Sequence, residues 1–288
     1  MSMERPSELI TVSSTDFLAG TQVMLASFLD TNPWFTGKII VLHDDLDAIA
    51  QRRLIDDFPQ MECREPTDEL RNRVSHLVAH YPHLETRQRR FYSLDVIDGA
   101  GSETALFVDS DVVFMRSIED AANYGAALVA CGDRATIMGR TRDPATLRET
   151  SHASEVPGFR SFNAGLMMIA SRLRGTGTRD DVLESLDPDA WASVQSDHTD
   201  QAVFNRLFGQ QVQLLDEGFN RMVGHGTRMA GAARCPVEDA RVLHFNGPAK
   251  PWRMDNRVRE MTQDADYAFA LARWHEAYRR FLARPGRN

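Results

Sequence analysis

Ala105-Leu-Phe-Val-Asp109-Ser-Asp111 is the stretch on which the fold turns: four apolar residues in a row, then two carboxylates at i and i+2. Four apolar residues without polar alternation read as a strand buried on both faces, and such strands belong to parallel sheets covered by helices on either side. Towards the N-terminus, Glu8 to Ser13 and Lys38 to His43 read the same way. The segments between these strands predict helices. One follows Asp16, its candidate cap, and carries Leu18, Met24, Leu25, Phe28 and Leu29; a second carries Ile49, Leu54 and Ile55; others lie around Glu69 to Tyr81 and Arg87 to Ile97. The alternation predicts an α/β fold with a mostly parallel central sheet flanked by helices, and places ligands at the carboxyl ends of the strands.

Towards the C-terminus, strands are expected at Ala126 to Cys131, Ala164 to Ala170, Val212 to Leu215 and Arg241 to Phe245, with a helix from Thr199 to Phe208. The polar stretch from Gly132 to Ser161, which includes His152, reads as a long loop, either a lid or acceptor wall or a plain surface loop. Asp264 to Leu282 is an amphipathic helix with Phe269, Leu271, Trp274, Tyr278 and Phe281 among arginines. Trp274 and Phe281 could meet the chain's own domain, a membrane surface or a second subunit, and the first carries the greatest weight. A homodimer is one of the arrangements left open. The expected organisation is a catalytic domain over residues 1–255, its N-terminal half on the nucleotide side and its C-terminal half on the acceptor side, and a helical tail over 256–288.

Composition narrows the classes. The chain has 288 residues, 42% of them apolar, enough for one large core. No apolar run approaches the roughly 18 residues of a spanning helix, so no transmembrane segment is expected, and the N-terminus makes no secretory signal. Cys63, Cys131 and Cys235 are too few and too scattered for a disulfide framework, which fits a cytoplasmic protein. A net charge of -8 argues against a nucleic-acid partner. Of 33 basic residues only Lys38 and Lys250 are lysines, so a lysine that persists in this arginine-rich chain is of interest.

Two carboxylates at i and i+2 project to one side of an extended chain, where a hard divalent cation could join them to diphosphate oxygens. The spacing is weak by itself, because Asp45/Asp47, Asp187/Asp189 and Asp264/Asp266 share it. Asp109 and Asp111 differ in following a buried strand. Three more segments join them. Ser161-Phe-Asn163-Ala164-Gly165 puts an amide and a small backbone at a strand start. Thr199-Asp200-Gln201 opens a helix that Thr199 could cap, with Asp200 in its first turn. His244-Phe-Asn246-Gly247-Pro-Ala-Lys250-Pro251-Trp252 offers an imidazole, a glycine and a cation. Imidazole with carboxylates suits manganese, and an ammonium can neutralise a diphosphate.

In this order the four segments resemble glycosyltransferase family 8, the retaining GT-A fold group that includes glycogenin and bacterial lipooligosaccharide galactosyltransferases, over about residues 8 to 252. The resemblance implies a GT-A fold with a Rossmann-like sheet and retaining transfer of a hexose-type sugar from a nucleotide diphosphate, UDP expected, to a hydroxyl of a saccharide or small molecule. It implies Mn2+ or Mg2+ on Asp109, Asp111 and His244, and diphosphate contacts from Lys250 and the Gly247 backbone, with Ser110 and Asn246 among the donor contacts. Asn163, Ala164 and Gly165 would line the sugar with Asp200 and Gln201, and Asn163, Asp200 and Gln201 would be the catalytic set. Val12, Ser13, Ser14 and Phe17 match the first strand-loop, which cradles base and ribose. That loop often carries an acidic residue near the uracil, whereas here Ser13, Ser14 and Thr15 precede Asp16. The family's basic residue before the Asp-x-Asp strand has three candidates, Arg87, Arg89 and Arg90, of which Arg90 is taken.

Two rivals come from other classes. Leu-Phe-Val-Asp109-Ser-Asp111 also resembles the nucleophile motif of haloacid-dehalogenase-type phosphatases, with Asp109 as nucleophile; that reading leaves His244 to Trp252 unexplained. A non-catalytic sugar-nucleotide binder would not need Asp109, Asp111, His244 and Lys250 together.

Overall fold

Alternation of side chains sorts the apolar residues onto two faces. Leu9, Ile39, Val41, Leu106, Val108, Val129 and Met168 point into one core, while Ile10, Ile40, Leu42, Phe107, Ala130, Met167 and Ile169 point into another on the opposite side. A sheet buried on both faces results, as its unbroken apolar runs require. The computed structural model describes residues 3–99, 103–133, 161–194, 198–225 and 235–284. The expected lid over 132–161 falls almost wholly outside them.

In chain order the elements are β1 (Glu8–Val12), α1 (Leu18–Thr31), β2 (Lys38–Leu42), α2 (Ala48–Asp57), β3 (Met61–Arg64) and α3 (Asp68–His80). Then come 3-10 turns over Pro82–Ile97, β4 (Ala105–Val108), β5 (Val112–Phe114), β6 (Leu128–Gly132), β7 (Phe162–Ile169), α4 (Thr176–Glu184), α5 (Pro188–Trp191) and α6 (Thr199–Phe208). The described chain ends with β8 (Val212–Leu215), a 3-10 turn over Glu217–Asn220, β9 (Arg221–Met222), β10 (Val242–His244), α7 (Asn256–Met261) and α8 (Ala265–Leu282).

The main sheet has the order β3-β2-β1-β4-β7-β6-β8. Only β7 runs against its neighbours, β4 and β6; every other pair is parallel. A second sheet, β5-β10-β9, stands at the carboxyl end of β4. In it β10 lies antiparallel to β5, with His244 opposite Val112, and the Phe245 N–H donates to the Asp111 carbonyl at 2.9 Å. This small sheet brings two segments that are remote in sequence to one place.

Several expectations need correction. Arg87 to Ile97 is not an α-helix but the second part of the 3-10 segment. From Phe91 to Ile97 every residue is buried, so the one-sided stripe of a surface helix is absent. In α2 only Leu54 is buried, while Ile49 and Ile55 are exposed. Asp16 does not cap α1, whose N-cap is Phe17 with no side-chain bond. The strand β3 went unread, since as an edge strand it keeps polar residues such as Glu62 and Arg64.

The tail helix α8 packs on its own chain. Phe281 stacks on Phe58 with centroids 5.7 Å apart, and Trp274 is buried against Trp252 and Tyr278. Among the described residues no helix is long and apolar enough to cross a membrane, and the three cysteines are free.

Candidate active site

The three other Asp-x-Asp pairs resolve into local structure. Asp47, Asp187 and Asp264 are N-caps, each accepting backbone N–H bonds at the start of α2, α5 and α8, and Asp45 holds the Thr15 N–H at 3.0 Å. Only the Asp109 pair directly follows the last residue of a strand of the main sheet.

There Asp109, Asp111 and His244 offer one ligand atom each, all within 4.8 Å of one another, the sole such group of three among the described residues. His244 Nε2 lies 3.2 Å from Asp111 Oδ1 and 3.6 Å from Asp109 Oδ2. The imidazole is 2% exposed, whereas the Asp109 side chain is 41% exposed, so the group is closed behind and open in front. Gly165 makes the approach feasible, because a Cβ there would lie 2.3 Å from His244 Cε1 and 2.8 Å from Asp109 Oδ2. Two carboxylates and an imidazole converging at this spacing are a donor set that fits a divalent cation.

Charge is divided unevenly within the group. Desolvation on its closed side, then the Asp111 carboxylate, pushes the Asp109 carboxyl up to about 7 although its front is open, against the pull of His244. Burial acts on Asp111 in the same sense but is outweighed by Lys250 and then His244, which hold its carboxyl below the usual range. Lys250 is nearly buried; its Nζ donates to Asp111 Oδ2 and, at 2.6 Å, to the Phe245 carbonyl, and it lies 5.7 Å from the Phe17 ring centre. The lysine predicted from composition thus joins the metal-type group directly.

Beside the carboxylates is a set of amides. Asn163 Nδ2 donates to Gln201 Oε1 at 3.1 Å, and the Gly165 N–H donates to Asn163 Oδ1 at 3.0 Å. Asp200 is buried, accepting from Ser93 Oγ at 2.8 Å and Thr199 Oγ1 at 2.9 Å. Burial raises its carboxyl, opposed by those two bonds and by the charge of Arg90. Thr199, at φ 47, is the first residue of α6 and not its cap, which is His198. Arg90 is therefore the arginine whose charge reaches Asp200, while Arg89 is paired with Asp44 and Asp45.

The first strand-loop closes the other side. Ser13 and Ser110 turn inward: Ser13 Oγ bonds Thr21 Oγ1 at 2.7 Å, Thr21 Oγ1 donates to Ser110 Oγ at 3.0 Å, and Ser110 Oγ donates to the Val12 carbonyl. Their hydroxyls brace the loop against the Asp-x-Asp turn. Ser14 is buried, and its carbonyl accepts the Phe17 N–H. Trp252 meets Phe17 edge-on at 5.2 Å and donates Nε1 to the Asp16 carbonyl at 2.8 Å. Asn246 Oδ1 accepts the Gly224 N–H at 3.1 Å, and a Cβ on Gly247 would lie 2.0 Å from the Gly224 carbonyl. Gly247 is thus required where two chain segments touch.

Sequence reading missed Asn220, Ser93, Thr21 and Gly224. None stands in a motif; each is recognised only because the fold puts it against a residue that does.

The model for Glycosyl transferase family 8 matches residues 8–256. No curated protein matches the chain in a sequence search. Among solved structures, the galactosyltransferase LgtC, in complex with donor and acceptor sugar analogs, superposes with a TM-score of 0.67 at 18% identity, covering 97% of this chain and 98% of that one. An active-site mutant of LgtC gives 0.69 at 19% identity, with the same coverage of both chains. The glycosyltransferase GlyE of Streptococcus pneumoniae TIGR4, in its apo form, gives 0.58 at 15%, covering 95% of this chain and 64% of that one. The likeness extends the sheet order described above to the GT-A architecture, and nothing in it supports the phosphatase reading. With 249 of its 288 residues inside the matched range (8 to 256), the chain belongs to glycosyltransferase family 8.

Proposed function

We propose that this chain is a metal-dependent retaining glycosyltransferase that moves a hexose-type sugar from a nucleoside diphosphate, UDP by preference, to a hydroxyl of a saccharide or small molecule. The observation that carries this is the meeting of Asp109, Asp111 and His244 at the open end of β4, with Lys250 against Asp111. Mn2+ or Mg2+ held by those three side chains would supply Lewis-acid stabilisation of the departing diphosphate.

The chain's own residues supply the rest. Lys250, already beside the carboxylates, adds a positive charge where charge develops on the leaving group, which favours the transition state over the ground state. Asn163, Ala164 and Gly165, with Asp200 and Gln201, form the wall against which the donor sugar lies. The buried Asp200 carboxylate is held in place by Ser93 and Thr199, so it presents charge at a fixed position to the sugar carbon that gains positive character. Val12, Ser13, Ser14 and Phe17 carry the base and ribose; with both serine side chains buried, backbone and the Phe17 ring are what they offer. Gly247 and Asn246 shape the loop that brings Lys250 to the diphosphate.

The test is release of the nucleoside diphosphate. With Mn2+ and a panel of UDP- and GDP-sugars, the wild-type chain is expected to hydrolyse or transfer from at least one UDP-sugar, and Asp111→Ala to lose at least a thousandfold of that rate (about 4 kcal/mol of transition-state stabilisation). Equal rates with and without Mn2+, or an active Asp111→Ala enzyme, defeat the proposal.

A further inference from the structure

We propose that Asn220 is a positioning residue that fixes the tautomer of His244 and couples the metal-facing imidazole to the sugar-facing amides of Asn163 and Gln201. The inference rests on the metal site proposed above.

Asn220 is fully buried at the end of the 3-10 turn Glu217–Asn220 that leads into β9. β9 pairs in parallel with β10, with Met222 opposite His244, so the turn is anchored beside the imidazole. Asn220 Oδ1 lies 2.9 Å from His244 Nδ1, and Asn220 Nδ2 lies 2.8 Å from Asn163 Oδ1.

The orientation of an amide side chain is often an arbitrary choice between oxygen and nitrogen. In this cluster, backbone donors decide it. The Gly165 N–H, which can only donate, points at Asn163 from 3.0 Å, so that atom of Asn163 is the oxygen. The Asn220 atom facing the same oxygen must then be the nitrogen. Its other terminal atom, towards His244, is an oxygen, and an amide oxygen cannot donate. The proton of that bond therefore sits on His244 Nδ1, which leaves Nε2 as the nitrogen that faces Asp109 and Asp111 and that a cation would take.

The same logic runs outward. With its oxygen committed, Asn163 turns Nδ2 to Gln201, whose facing atom is Oε1 at 3.1 Å; the Ala164 N–H approaches the same oxygen at 3.4 Å. Gln201 is left with its amide nitrogen as the group it can offer a ligand. Two backbone N–H groups on β7 thus set the polarity of a chain from the metal-facing nitrogen to the sugar wall. An acceptor opposite the distal nitrogen of a metal-binding imidazole fixes ring orientation and ligand basicity, and its loss typically costs 10- to 100-fold in metal affinity.

The experiment compares wild type, Asn220→Ala, Asn220→Asp and His244→Ala. Mn2+ affinity is read by electron paramagnetic resonance, the His244 tautomer by 15N NMR of the metal-free protein, and kcat by UDP release. Asn220→Ala is expected to bind Mn2+ 10- to 100-fold more weakly and to lose the Nδ1–H signature. Asn220→Asp keeps an oxygen opposite Nδ1 and should bind Mn2+ as tightly as wild type or tighter. It cannot donate to Asn163, so its kcat should fall. An Asn220→Ala protein with wild-type Mn2+ affinity overturns the inference, as does an Asn220→Asp protein with both wild-type kcat and an Nε2–H tautomer. If Asn220→Ala does not fold, the Asn220→Asp pair of measurements decides alone. A His244→Ala protein with undiminished Mn2+ affinity removes the metal reading itself and this inference with it. Weakening in His244→Ala without weakening in Asn220→Ala removes only the inference.

Discussion

Asp109 and Asp111 are two residues apart and chemically identical, yet the fold holds one carboxyl high and the other low, because only Asp111 has Lys250 on it. The consequence is a proton that a bound metal ion would have to displace. With its carboxyl pushed up to about 7, Asp109 is half protonated at neutrality, so Mn2+ affinity should fall as pH drops through 7 and level off above it, with about half a proton released per ion bound at pH 7 and more at lower pH. Calorimetry in two buffers of different ionisation enthalpy measures that number, and no proton release at pH 6.5 would contradict the assignment. Gly165 gives a second test. A Cβ there collides with His244 and Asp109, so Gly165→Ala should weaken Mn2+ binding at least tenfold while the protein still melts cooperatively. Both aspartates, His244 and Lys250 were legible in the sequence, since a strand end and a compact motif flag them. Asn220 was not, because its role exists only through contacts with His244 and Asn163.

Short elements do most of the positioning. β5 has three residues, too few to announce itself by periodicity, but its pairing with β10 sets His244 opposite Val112 and next to Asp111. The 3-10 segment Pro82–Ile97 brings Ser93 to Asp200, and Arg174 ties its far end to the sheet. Arg174 is almost fully buried and donates to the Val96 carbonyl at 2.8 Å, the Glu103 carbonyl at 2.9 Å and Glu8 Oε2 at 2.7 Å. Removing it leaves a half-buried carboxylate and two carbonyls without their donor, so Arg174→Met should cost about 3–5 kcal/mol in urea unfolding. Arg174→Lys should recover only part of this, since an ammonium cannot reproduce the guanidinium's planar, forked set of donors. A destabilisation under 1 kcal/mol for Arg174→Met would show that the three contacts are dispensable.

Residues 256–288 read as a separable tail, but we propose that they unfold with the rest. Tyr267, Ala270 and Trp274 of α8 share a core with Val113, Leu243 and Phe245 of the small sheet that carries His244. Phe281 is buried on Phe58 at the far end of the helix. Phe281→Ala is expected to cost about 3–5 kcal/mol, and tryptophan fluorescence and far-UV circular dichroism should report one coincident transition in both proteins. Two separated transitions in the wild type would make the tail an independent unit. What the sequence by itself determined was the α/β class, the mostly parallel sheet and the residues able to hold charge, because burial on both faces and local motif chemistry are written into neighbouring residues. Tertiary structure alone decided which side chain stands behind the imidazole, which of three candidate arginines reaches Asp200, and which way the buried amides point. Each of these depends on the distance between segments far apart in the chain, and no local pattern encodes that distance.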